Sequence, residues 1–197
     1  MSVPEGRYEV AAAPGVGLAA CLADIVELAA LRGRTDDLAS IASSRGCTLP
    51  APGRIAVAGG TLALCVRPAR WLLLSSPASA GASVSLWQDA CAGTAAAVDL
   101  SCGLSALHLT GPDAREALAR GCRLDLDPEV FPAGHAAATI MAQVAAILAA
   151  LPSGMLILTP ASTARHLREW LAAAAQAFGV TPRADVTVSA LSGDPYS

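Results

Sequence analysis

The chain of 197 residues contains no lysine, and all 13 of its basic residues are arginine. Without lysine there is neither a Schiff-base nucleophile nor the lysine of a phosphate-binding P-loop, so two broad enzyme classes are excluded. Aromatic residues make up only 4%, and 16 acids outnumber the bases to give a formal net charge of −3. Nucleic acid therefore finds neither a cationic footprint nor rings for base stacking. Charge is also missing locally: no Asp, Glu, Lys or Arg falls between Arg70 and Asp89 or from Val130 to Ala164. The second run has the length of a membrane span. However, Pro132, Gly134, Pro152, Gly154 and Pro160 cut it into strand-length pieces, the pattern of buried strands, and no membrane partner is expected.

The six cysteines form no Cys-x-x-Cys pair and His108, His135 and His166 are not spaced as ligands, so no metal site is expected. Most of the cysteines sit among Ala, Leu and Val, where a free thiol behaves as a small hydrophobe in a reducing, cytoplasmic setting. Leu18-Ala19-Ala20-Cys21 has the look of a lipoprotein cleavage box. Glu5 and Glu9 upstream, and the interruption by Pro14 and Gly15, argue against that reading.

What is present is a repeat. Arg45-Gly46-Cys47-Thr48-Leu49 returns as Arg120-Gly121-Cys122-Arg123-Leu124, Leu31-Arg32-Gly33 as Leu109-Thr110-Gly111, and Trp71 to Pro77 as Met155 to Pro160. Trp87 and Trp170 occupy comparable places in the helices that follow. Two copies of one supersecondary unit stack to bury what neither buries alone. With 54% hydrophobic residues, the chain is expected to form a single compact domain over residues 1–179, built of pseudo-repeats at about 15–94 and 95–179. Residues 180–197 are expected to be a C-terminal tail, and residues 1–14 an end that is loose or docks on a partner.

In the first repeat, Ala19 to Leu31 reads as a strand. Thr35 serves as N-cap, with Asp36 and Asp37 in the first turn of a helix that ends at Gly46. Arg54–Ala58 and Thr61–Val66 flank Gly59-Gly60, a pair suited to the positive φ of a tight hairpin. Trp71–Ser75 is a further strand and Ser83–Ala92 a short helix. In the second repeat, Leu104–Leu109 is a strand and Gly111-Pro112-Asp113 opens a helix with proline at its first position. Ala136–Ala142 and Val144–Leu151 form a hairpin, Met155–Leu158 a strand, and Pro160–Phe178 an amphipathic helix. That helix shows Ala164, Leu167, Trp170, Leu171, Ala174 and Phe178 on one face. The fold class is α+β: a duplicated strand-helix-strand-strand-strand-helix unit with a mainly antiparallel sheet and helices on one face.

Several residue groups carry possible chemistry. Asp99, Ser101 and His108 have the types of a catalytic triad, yet no glycine-flanked nucleophile elbow surrounds the serine, and polar ties at strand ends are expected instead. Asp125 and Asp127 are paired acids beside Pro128, a composition that favours a solvated loop over a general acid and base. Gly15-Val16-Gly17-Leu18-Ala19-Ala20, with Asp36 downstream, fits a loose dinucleotide fingerprint, but a strand follows where a helix is needed. His166 and Glu169 lie one turn apart without a third ligand. Trp71, Trp87 and Trp170 read as core before they read as interface anchors or the walls of a flavin pocket.

Val98-Asp99-Leu100-Ser101, Leu107 to Ala114, Ala119 to Pro128 and Phe131-Pro132-Ala133-Gly134 together resemble the gamma subunit of heterotetrameric sarcosine oxidase. The resemblance runs from roughly Leu18 to Phe178 and extends more distantly to the aminomethyltransferase (T-protein) of the glycine cleavage system. One departure stands out: the family commonly has a histidine after Asp-x-Ser, and this chain has Cys102.

The resemblance implies a non-catalytic subunit that supports assembly of the flavin-bearing subunits, which oxidatively demethylate sarcosine to glycine. It implies alpha, beta and delta partners, with FAD, FMN, NAD and tetrahydrofolate held by the complex and none bound by this chain alone. No catalytic residue and no metal ligand carries over, and no cofactor-binding residue is indicated. The alternatives are a folate-binding one-carbon-transfer protein of the aminomethyltransferase type, or the equivalent subunit of a related N-methyl amino acid dehydrogenase. The uncharged runs hold more apolar surface than one small sheet hides, so part of it is expected to meet partner chains.

Overall fold

The computed structural model describes residues 15–78 and 82–191. The expected behaviour of residues 1–14 falls outside them. The chain first runs through β1 (Val16–Leu22), β2 (Asp24–Ala30), α1 (Thr35–Ser44), β3 (Arg54–Ala58), β4 (Thr61–Arg67), β5 (Arg70–Ser75) and α2 (Ala82–Ala90). It then repeats the order with β6 (Ala95–Asp99), β7 (Leu104–Thr110), α3 (Ala114–Ala119), β8 (Ala136–Met141), β9 (Val144–Leu151), β10 (Gly154–Pro160) and α4 (Ala164–Ala175). Short 3₁₀ turns flank α4, and β11 (Val180–Pro182), β12 (Val186–Thr187) and α5 (Val188–Leu191) follow.

The α+β class and the duplication are present, with one more strand opening each round. Ala19 to Leu31, expected as one strand, is two strands parted at Ala23, and they belong to different sheets. One sheet has the order β8-β9-β10-β7-β1-β11, with β12 also on β1; the other has β3-β4-β5-β2-β6. The leading strand of each round is thus exchanged. β1 pairs with β7 and β6 pairs with β2, both antiparallel. Only β11 and β12 run parallel to their neighbour, β1. The stretch expected as a tail therefore extends a sheet as far as Thr187, because β1 has a free edge whose backbone groups need partners; residues 192–197 lie outside the described residues.

Side chains alternate across each strand and sort into layers. Leu156 and Leu158 of β10 meet Leu72 and Leu74 of β5 and Leu62 and Leu64 of β4 between the two sheets. Met155 and Ile157 face the other way, onto Leu118 of α3 and Leu167 and Leu171 of α4. Likewise Ala63, Cys65, Trp71 and Leu73 pack with Leu38 and Ala42 of α1. Each sheet carries its helices on one face and the other sheet on the opposite face. Strands covered on both sides read as uninterrupted apolar runs.

This arrangement corrects the expected surplus of apolar surface. From Ala146 to Thr159 almost every large apolar side chain is covered within the chain itself, because two sheets face each other where one was expected. The large apolar residues left exposed, among them Leu86, Val98 and Val130, come from separate elements.

The β3–β4 turn and its counterpart between β8 and β9 use left-handed backbone. Gly59 and Gly60 have φ of 56° and 74°; the equivalent Ala142 and Gln143 have 48° and 70° without being glycine. The two Arg-Gly-Cys copies end their helices differently: the Cys47 N–H donates five residues back to the Ala42 carbonyl past a left-handed Gly46, whereas the Cys122 N–H donates four residues back to the Leu118 carbonyl. Two cap expectations are corrected. Arg34, not Thr35, is the residue preceding α1, and its guanidinium pairs with Asp37 at 2.7 Å. Pro112 lies ahead of Asp113, the residue preceding α3, so the proline stands outside the helix it was expected to begin. At the sheet borders, the Ile55 N–H donates to the Gly134 carbonyl and the Ala136 N–H to the Gly53 carbonyl, tying β3 to β8.

Candidate functional site

The residues that resemble a triad are kept apart by their own hydrogen bonds. The Ser101 N–H donates to Asp99 Oδ1 at 2.9 Å, and Ser101 Oγ accepts the Ile25 N–H at 3.0 Å. Asp99 and Ser101 thereby close the end of β6 and fasten the β6–β7 turn to β2. The Ser101 hydroxyl, and after it the Ser101 N–H, hold the exposed Asp99 carboxyl below the ordinary carboxylate range. His108 lies on β7 and pairs with Ser153, Oγ to Nε2 3.4 Å, a contact that the sequence did not signal because Ser153 sits in the β9–β10 turn. Among the described residues no carboxylate hydrogen-bonds to this imidazole, so the contact lacks the orienting third group of a triad.

Burial pushes the His108 imidazole below its ordinary value, since a charged ring here would lose solvation. The folded chain therefore favours neutral His108. Stability from this site is present above the unfolded value of about 6.5 and is lost as pH falls from there toward the depressed folded value. His108→Gln should flatten this part of the pH dependence, and denaturation midpoints measured between pH 7.5 and 5 should show it. An unchanged slope would assign the effect elsewhere.

Asp125 and Asp127 brace their own loop: Asp125 Oδ1 accepts the Asp127 N–H and Asp127 Oδ1 accepts the Glu129 N–H. The sequence reading passed over Arg115, whose Nη1 donates to the Leu126 and Phe131 carbonyls and ties this loop to α3. The dinucleotide-like Gly15 to Ala20 leads into β1, and a Cβ on Gly17 would stand 2.5 Å from Thr110 Oγ1. Close approach of two strands accounts for that glycine. His166 Nε2 donates to the Ala142 carbonyl, and Glu169 is held by Arg165 at 2.8 Å, so neither faces a common ligand point. Among the described residues no three His, Cys, Asp or Glu side chains converge.

Trp71 is buried and its Nε1–H donates to the Pro50 carbonyl at 2.8 Å. Trp87 and Trp170 are half-buried on α2 and α4. No disulfide joins the described cysteines. Burial raises the Cys21 and Cys47 thiols to about 11, which keeps them protonated and unreactive. Cys21, the residue of the cleavage-box look-alike, sits within β1 between Ala106 and Val186. Cys102 is exposed in the β6–β7 turn.

Two concavities are notable. A cleft of about 560 Å³ lies where β1 crosses into β2, walled by Ala20 to Ala23, Ser101 and Leu104 to Leu107, with Arg165 and Arg168 at its rim. A second, of about 410 Å³, is lined by Arg120, Arg123, Ile140, Gln143, His166 and Trp170.

Residues 32–177 match the model of the sarcosine oxidase gamma subunit family. The chain belongs to that family. A chain of the heterotetrameric sarcosine oxidase from Corynebacterium sp. U-96 shares 29% identity and superposes with a TM-score of 0.74, covering 88% of this chain and 90% of that one. The glycine cleavage system aminomethyltransferase T from Bartonella henselae has the same fold at 17% identity, with a TM-score of 0.64. That match covers 89% of this chain and 49% of the transferase. A search of curated protein sequences gives no match. In this member of the gamma-subunit family, the Asp99-x-Ser101 pair closes the end of β6, and Cys102 beside it is exposed. No helix among the described residues is long and apolar enough to cross a membrane.

Proposed function

We propose that this chain is the non-catalytic gamma subunit of a heterotetrameric sarcosine oxidase, assembling with alpha, beta and delta subunits in the cytoplasm. The observation that carries the reading is the family match over residues 32–177, joined by a structural match that covers 88% of this chain and 90% of a chain of such an oxidase. In this reading the chain folds as one domain of two pseudo-repeats, at about 15–94 and 95–179, and contributes surface, not reacting groups, to the oxidation of sarcosine to glycine. FAD, FMN, NAD and tetrahydrofolate belong to the other subunits.

Co-expression with the other three subunits tests the assignment. The expected result is a complex that retains this chain through gel filtration and oxidises sarcosine, while the isolated chain neither turns over sarcosine nor binds tetrahydrofolate. Tetrahydrofolate binding by the isolated chain would favour the one-carbon-transfer alternative. A complex that forms but oxidises a different N-methyl amino acid would assign the chain to the related dehydrogenases.

A further inference from the structure

The 410 Å³ concavity beside the β8–β9 turn combines arginines, partly exposed apolar side chains and a left-handed turn. Its ionised lining residues are Arg120 and Arg123, with no carboxylate among the lining residues, on a chain whose net charge is negative. Arg120 Nη1 donates to the Ala174 carbonyl, and its guanidinium lies 4.4 Å from the Phe178 ring centroid. Arg123 is exposed and, among the described residues, makes no ion pair or side-chain hydrogen bond. Around these cations stand the half-buried indole of Trp170 and the exposed side chain of Ile140. Tryptophan and arginine beside exposed aliphatic surface are the composition of an interface anchor.

The turn adds an independent argument. Ala142 and Gln143 hold the left-handed conformation that the first repeat gives to Gly59 and Gly60. A left-handed backbone is strained for a non-glycine residue, because its Cβ crowds the following carbonyl oxygen. The Ala142 N–H donates to the Gly121 carbonyl and the Ala142 carbonyl accepts from His166 Nε2, so the strained backbone is pinned on both sides. The duplicated chain thus contains a relaxed version of the same turn, yet here it keeps a Gln143 side chain that lines the concavity. Strain retained in this way marks a side chain in use.

We infer that this concavity is the seat of an acidic segment of a partner subunit, whose Asp or Glu carboxylate pairs with Arg123 while an adjacent apolar side chain covers Trp170 and Ile140. The exposed Ile140 and half-buried Trp170 beside Arg123 favour a protein segment over a small carboxylate. Charge complementarity selects an acidic one. The inference rests on the subunit reading above.

The test uses the full complex. Arg123→Glu should weaken association of this chain with the co-expressed remaining subunits at least tenfold. Arg32→Glu, the same charge change in the exposed β2–α1 loop, should alter it less than twofold. Gln143→Gly should raise the melting temperature of the chain by about 2 °C, as the turn relaxes, and still weaken association several-fold. Arg123→Glu associating like the wild type, with an unchanged melt, would overturn the inference and leave the subunit reading standing. If glutarate raised the melting temperature only when Arg123 is present, and association did not depend on Arg123, the occupant would be a small carboxylate and the inference would fail. Failure of the wild-type chain to associate at all would remove the subunit reading and this inference together.

Discussion

Gly154→Ala should destabilise the chain by about 3 kcal/mol or more. Gly154 opens β10 at a φ of 144°, and a Cβ there would stand 2.3 Å from the Leu109 carbonyl oxygen, with His108 Nε2 and Thr110 Cγ2 each at 3.2 Å. The nearest atom is backbone. Leu109 pairs with Met155 in the ladder that joins β7 to β10, so relief requires parting two central strands of the larger sheet. Gly33 provides the control: its φ is 76°, but nothing lies within 4 Å of an added Cβ. Gly33→Ala should therefore cost only the left-handed preference, about 1–2 kcal/mol. Urea denaturation of the two variants separates steric exclusion from conformational preference. Equal losses would mean that the approach of β10 to β7 is not limiting.

Leu156→Ala should cost about 3 kcal/mol, within the range of roughly 3–5 kcal/mol found for leucine truncations in rigid cores. Leu156 is fully buried between the two sheets, among Leu72, Leu74, Leu62 and Leu64. Both layers are hydrogen-bonded sheets carrying helices on their far sides, so neither collapses easily into the cavity, and the cost of the void persists. Leu86→Ala removes the same atoms from α2, where the side chain is 57% exposed, and should change stability by no more than about 0.5 kcal/mol. The comparison measures how much the contact between the sheets contributes. A loss below about 1 kcal/mol for Leu156→Ala would show that the layers adjust to one another.

Legibility followed the range of the interactions. Gly59-Gly60 announced its turn because positive φ at two successive residues is a local demand. The long amphipathic helix was readable from Leu167 and Leu171, which pack with the side chains of the sheet, and from Ala174, which is buried. The second hairpin was located by its flanking strands, although its turn residues Ala142 and Gln143 are held by contacts with Gly121 and His166 that no local pattern encodes. Ala95 to Asp99 gave no strand signal of its own, being alanine-rich and exposed on alternate residues; pairing with β2 makes it a strand. Of the candidate site residues, Asp99 with Ser101 and Asp125 with Asp127 could be recognised as ties, because such side chains bond to nearby backbone N–H groups. The partners of His108, Arg115 and Arg120 are 45, 11 or 16, and 54 residues distant, and sequence spacing carries no trace of them.

By itself the sequence determined that one supersecondary unit occurs twice, that its strands are buried and that its helices lie on the outside. Repeat spacing, turn residues and apolar periodicity all act within a few residues of one another. Only the tertiary structure decided that β1 and β6 change places between the two units and that a second sheet covers much of the uncharged runs. A strand buried on both faces shows no alternation to tell which side is which. Its neighbour is chosen by backbone groups common to every residue, so the choice appears only when the whole chain has folded.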